Sequence, residues 1–130
     1  MKKEIITASQ LCKPLGIYSQ AVKVAAGQFL FISGMTARDK EGNVVGKGDI
    51  KLQTDTILQN MGYLLDNVGA TYDNIVKVTV FITDMSHFHE IHEIRSKYFK
   101  DNYPASTLVE VSRLASKDHL IEIEAVAIIE

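Results

Sequence analysis

The stretch Leu120-Ile121-Glu122-Ile123-Glu124-Ala125-Val126-Ala127-Ile128-Ile129 decides the fold. Read as a strand, it places Ile121, Ile123, Ala125, Ala127 and Ile129 on one side and Leu120, Glu122, Glu124, Val126 and Ile128 on the other. Toward its C-terminal end both sides are apolar, the pattern of a strand covered on both faces. Glu122 and Glu124 interrupt one of those faces. A carboxylate there is costly unless it is paired or used. Buried, it has a raised pKa and can pass protons; otherwise it marks a strand end or a subunit contact.

Working back along the chain, the elements that could cover this strand are two helices. Asp49 is a good N-cap, and Ile50, Gln53, Ile57, Met61, Leu64, Leu65 and Val68 follow at helical spacing, with Gly69 at the left-handed C′ position. A second helix is predicted after Asp84 and Ser86. Its apolar side carries Phe88, Ile91, Ile94, Tyr98 and Phe99, and His87, His89, His92 and Arg95 occupy the remainder. Residues 74–83 alternate as a β-branched strand. Residues 18–26 and 29–33 read as a hairpin around Gly27-Gln28, with a brief extra strand at Val44-Val45. Pro104 ends the second helix region and opens a strand at 107–111. The order gives an α+β domain over residues 1–130, a mixed sheet with both helices on one face. Two helices cannot easily cover both sides of the sheet, so the open face is expected to meet further copies of the chain.

Composition narrows the function. The chain has 130 residues, 46% hydrophobic and 23% charged, with a net charge of -2 and no tryptophan. No basic stripe offers a nucleic-acid backbone a footing. No apolar run approaches the roughly 20 residues that span a bilayer, and no signal-like segment opens the chain, so a cytoplasmic address and no membrane partner are expected. Cys12 stands alone, which excludes an internal disulfide. His89 and His92 lie three apart beside Glu93 but lack a second ligand pair at zinc-like spacing, so no metal is assigned. No motif calls for a cofactor.

Three short stretches have the residue types of a small polar site. Tyr18-Ser19-Gln20 sets a phenol beside polar groups at a strand start. Ser33-Gly34 ends a strand where backbone can approach a ligand closely. Pro104-Ala105-Ser106-Thr107 is a rigid strand start with two hydroxyls and no cation.

Together these stretches resemble the RidA/YjgF family. The likeness lies in Gly16-Ile17-Tyr18-Ser19-Gln20-Ala21-Val22, Phe31-Ile32-Ser33-Gly34, Gly48-Asp49-Ile50, residues 74–85, Tyr103-Pro104-Ala105 and residues 121–127. The resemblance implies a chorismate-mutase-like α+β fold, a homotrimeric barrel, and ligand clefts between subunits. It further implies hydrolysis of reactive enamine or imine intermediates to 2-oxo acids and ammonia. Tyr18 and Glu122 match the family's catalytic positions and Gly34 a binding position, the glutamate and the backbone near Gly34 orienting a water; Ser33, Ser106, Thr107, His92 and Arg38 complete the expected substrate contacts.

The sequence departs from the family at three places. Ser106 stands where active members carry the arginine that binds the substrate carboxylate, His92 replaces an asparagine, and Ile17 replaces a proline. A hydrogen bond to a charged group is worth about 1.5–3 kcal/mol, so Ser106 and Thr107 do not replace that arginine. Arg38, Arg95 and, at mildly acid pH, His92 are the chain's own substitutes. The leading reading is a divergent deaminase, with an amino-dienoate of the aminomuconate kind as one substrate. A non-catalytic metabolite-binding trimer is the alternative. Ribonuclease or translation-inhibitor activity ranks last.

Overall fold

The computed structural model describes residues 2–25 and 27–130. Its first long helix, α1 (Ile50–Asp66), begins where Asp49 accepts the Leu52 N–H at 3.0 Å. It ends where Gly69, at φ 69°, lets its own N–H reach Asp66 O at 3.2 Å and the Ala70 N–H reach Leu65 O at 2.9 Å. Those paired bonds satisfy carbonyls that the helix end leaves open. The buried stripe is Ile50, Gln53, Thr54, Ile57, Leu58, Met61 and Leu65. Leu64 and Val68, expected in it, remain 43% and 41% exposed because the helix turns the 54–58–65 line to the sheet. Buried Gln53 donates to Gly46 O and Asp118 O and accepts from the Leu120 N–H, so it pins α1 to the start of the last strand.

The main sheet contains β3 (Gln28–Met35), β4 (Ile75–Ile82), β5 (Ala105–Glu110) and β6 (Ile121–Ile129), in the order β3-β6-β4-β5. The strand β6 runs antiparallel to both neighbours, whereas β4 and β5 are parallel and joined through α2 (Phe88–Tyr98). A parallel pair needs such a crossover. The sheet is therefore mixed, with α1 and α2 on one face. Val78, Val80, Ile82, Ile121, Ile123, Ala125 and Ala127 form the helix-side core with Ile57, Leu58, Met61, Ile91 and Ile94.

The predicted hairpin does not form. The strand β2 (Ala21–Val24) pairs with β1 (Lys3–Ile6) in a separate two-stranded ribbon, and β3 takes β6 as its partner. The reason lies at Gly27, where a side chain would come within 2.7 Å of Ile128 and 2.9 Å of the Ile129 carbonyl. This glycine serves close backbone passage rather than a tight turn. Ala26, the end of the predicted first strand, lies outside the described residues. At Val44 only an isolated bridge to Arg38 forms, in place of the predicted extra strand.

Among the described residues the far face of the sheet is only partly covered: Ile128 is buried there, but much of the rest is open. Phe29 and Phe31 are 65% and 73% exposed there, stacked with centroids 5.8 Å apart. The paired positions Thr79 with Glu124 and Phe81 with Glu122 share this side, as do Thr107 and Val109 across the β4–β5 ladder. The carboxylates and the aromatic pair thus occupy one open surface.

Candidate functional site

Two groups of the expected residues come together, in different places. The first is a cavity of about 160 Å³ between α2 and β5, lined by residues 15–18, Phe88, His92, Arg95, Ser106 and Leu108. Phe88, His92 and Arg95 follow one another at i, i+4 and i+7, so one edge of α2 supplies them all. Ser106 faces them because its ladder partner is the core residue Val78. The wall at residues 15–18 is held by Ser19, whose N–H donates to Pro104 O at 3.0 Å and whose hydroxyl donates to Tyr103 O. Within it the Tyr18 hydroxyl accepts the Leu15 N–H at 3.2 Å. The His92 ring rests against Gly16, where a Cβ would lie 3.2 Å from Cε1, and tilts over Phe88. Beyond Gly16 and Tyr18 the surface continues into a groove of about 510 Å³ that includes Thr7, Lys13 and Gln20.

Arg95 is the unexpected member. Its helix position was assigned to the polar side, yet it is only 6% exposed. Its Nη2 donates to Ser106 Oγ at 3.0 Å and to Ile17 O at 3.3 Å. Among the described residues it has no ion-pair partner. Burial draws the guanidinium pKa down from 12.5 to about 10, which leaves it charged at neutral pH. The sequence did contain a signal: Ile91, Ile94, Arg95 and Tyr98 keep i, i+3, i+4, i+7 spacing, so position 95 belongs to the inward stripe.

The second group lies on the other face, at the irregularity between Ile32 and Met35 where β3 slips against β6. The slip takes Ser33 and Gly34 out of the regular ladder. The Glu122 carboxylate packs directly on Gly34, so that any side chain at position 34 would overlap it. Next to this, Arg38 donates from Nη1 to Gly42 O at 2.7 Å, and its Nη2 lies 2.9 Å from His119 Nε2. Since arginine can only donate, Nε2 is the acceptor and His119 carries its proton on Nδ1. His119 is 1% exposed, and its Nδ1 has no hydrogen-bond partner among the described residues. Burial and then the Arg38 charge lower its pKa, against an opposing pull from Glu122 and Asp118. Arg38 is thus engaged in holding a loop and a neutral histidine.

Ser106 and Thr107, expected side by side in one site, point to opposite faces. Thr107 Oγ1 accepts from Lys77 Nζ at 2.8 Å on the open surface, while Ser106 joins the cavity. Glu122 pairs with Phe81 on β4 and Ser106 with Val78, two strands across and three residues along. Their backbones are therefore about 14 Å apart, with the side chains on opposite faces of the sheet. One chain does not bring Tyr18, His92, Arg95 and Ser106 to the same small ligand as Gly34 and Glu122.

Two helices on one face of a mixed sheet, with candidate residues on both faces, define an α+β scaffold. Comparison with known proteins takes the assignment further. The Endoribonuclease L-PSP family profile matches residues 8–129. A RutC family protein of Pyrococcus abyssi is 45% identical, covering 98% of each chain. The human 2-iminobutanoate/2-iminopropanoate deaminase is 36% identical over 97% of this chain and 90% of its own. The structure of a Rid-family protein from Yersinia pestis superposes with a TM-score of 0.91 at 28% identity, covering 99% of this chain and 100% of that one. The chain belongs to the Endoribonuclease L-PSP family, the family of the RidA/YjgF proteins.

Proposed function

We propose that this protein hydrolyses enamine or imine intermediates to the corresponding oxo compounds and ammonia. The observation that carries the reading is the Glu122 carboxylate seated on the Gly34 backbone at the β3–β6 irregularity, with a buried neutral His119 close by. The reaction needs one group that takes a proton from water and returns it to nitrogen. Water adds to the carbon of the C=N bond as Glu122 accepts its proton. Glu122 then gives that proton to the nitrogen of the tetrahedral adduct. This gives a neutral carbinolamine; Glu122 then takes the hydroxyl proton and passes it to the amino nitrogen as the C–N bond breaks, so ammonia leaves and the C=O group forms. Backbone at Ser33 and Gly34, freed from the ladder, orients the water. Tyr18, His92 and Ser106 hold the remainder of the substrate.

The complete site needs a second copy. Glu122 lies on the same face as the exposed Phe29–Phe31 pair. Burying that face between subunits, as in the homotrimer the family resemblance implies, would set the glutamate of one protomer against the Tyr18 cavity of its neighbour. Exposed stacked aromatics rimmed by polar groups favour this association. The human relative's name, an iminobutanoate and iminopropanoate deaminase, agrees with the chemistry.

The test is a coupled assay in which 2-aminoacrylate-type imines are generated in situ and their decay is followed with and without protein. Decay above the spontaneous rate, abolished in Glu122→Gln, is expected. No acceleration over a panel of small imines and amino-dienoates would overturn the reading and leave a metabolite-binding trimer in its place.

A further inference from the structure

We infer that the cavity between α2 and β5 is a carboxylate pocket whose charge is supplied by Arg95, entering from the helix and steered by Ser106. The inference rests on the reading of this cavity as the substrate half-site and names the ligand group it takes. A guanidinium this buried, with no carboxylate beside it among the described residues, is unusual, because charges taken from water are ordinarily paired. Its two recorded contacts, Ser106 Oγ and the Ile17 carbonyl, both draw on Nη2. Neither carries a charge, so both orient the guanidinium and leave its countercharge to come from a ligand.

The cavity's shape and lining select the ligand class. At about 160 Å³ it has space for roughly five waters, at ~30 Å³ each, which suits a short organic acid and little more. Leu15, Ile17, Phe88 and Leu108 make most of the wall apolar, and Arg95 is the one permanent cation among the lining residues. One guanidinium in an apolar wall fits a monocarboxylate with a small hydrocarbon tail. The strand start at Pro104–Thr107 lacks a cation, and the structure supplies one across the cavity at the position nearest Ser106. Charge and hydroxyl act as a pair: the helix brings the guanidinium, and the strand fixes its plane.

Binding can be measured apart from turnover, with 2-oxobutanoate and its neutral amide as probes. By calorimetry the wild type should bind the acid at least tenfold more tightly than the amide. Arg95→Met should lose roughly ten- to hundredfold toward the acid and little toward the amide, the range for a hydrogen bond to a charged group. Arg95→Lys should retain part of the preference, and Arg95→Met/Ser106→Arg should regain it with the charge on β5. A thermal melt accompanies each variant, and Arg95→Lys carries the test if the methionine variant does not fold. Equal affinity for acid and amide, no acid binding, or unaltered acid binding in a folded Arg95 variant would each overturn the inference. Selective binding without turnover would sink the deaminase reading and keep this one. Turnover indifferent to Arg95 would do the reverse.

Discussion

The α2–β5 cavity and the β3–β6 irregularity solve opposite problems with opposite means. In the cavity a permanent charge is buried with no counter-ion among the described residues and is held by two neutral acceptors. At the irregularity a carboxylate stays near an open surface, resting on a residue with no side chain. The first arrangement suits a group that must keep its charge and wait for an anion. The second leaves a carboxylate within reach of water, where a proton-transfer group is needed. On the proposed function, binding and proton transfer fall to different faces of one sheet, so that each can be altered without touching the other.

Substitutions should separate the two accordingly. The largest effect is expected at Glu122: Glu122→Gln should lower kcat by about 10²–10⁴-fold, the usual range for a positioned acid–base group, while carboxylate affinity stays unchanged. Gly34→Ala should act in the same direction but less strongly, because the added methyl displaces the carboxylate without removing it; steady-state kinetics on both variants would show whether kcat falls while binding is kept. In the cavity, Arg95→Met should cost acid affinity and leave the fold equally or somewhat less stable. Depression of the guanidinium pKa to about 10 corresponds to roughly 3 kcal/mol of burial cost, and losing two hydrogen bonds from a charged donor, at about 1.5–3 kcal/mol each, offsets that or exceeds it. The sign with pH follows. Below about pH 10 both folded and unfolded arginine are protonated and the penalty is constant. Between about 10 and the unfolded value of 12.5 the folded state binds fewer protons, so the wild type should gain on the variant as pH rises. Denaturant titration at pH 8 and 10.5 checks both the size of the loss and its growth with pH.

The smallest effect belongs to His119. Its folded pKa lies below 6.5, so the folded state binds fewer protons than the unfolded chain and stability should fall as pH drops below that value. Thermal melts between pH 7 and 5 should show this part of the slope in the wild type and lose it in His119→Leu. An unchanged slope would mean that the neutral histidine beside Arg38 does not contribute to the acid sensitivity of the fold.

Much of the scaffold was legible in the sequence because local chemistry and tertiary packing agree. Asp49 and Gly69 bracket α1 where capping requires, and the alternation of β4 and β6 survives in their burial. Where a residue's role depends on a distant partner, the reading failed. Gly27 resembled a turn glycine, but its constraint comes from Ile128 and Ile129, a hundred positions away. Arg95 looked like a solvated helix charge because its acceptors, Ser106 and Ile17, lie on other elements. Tyr18, Ser106, Gly34 and Glu122 could be singled out as candidates from the sequence; their division between two faces could not, because strand parity at 106 and 107 is set by the pairing of β4 with β5.

Ser19 fastens the wall at residues 15–18 to Tyr103 and Pro104, so the cavity is closed by parts of the chain made far apart in synthesis. On a ribosome α1 can be wound and capped while β5 is still unmade, and the Arg95 guanidinium emerges before the hydroxyl that will orient it. The cavity is therefore a late product of the nascent chain, assembled only when residues 15–19 find residues 103–106.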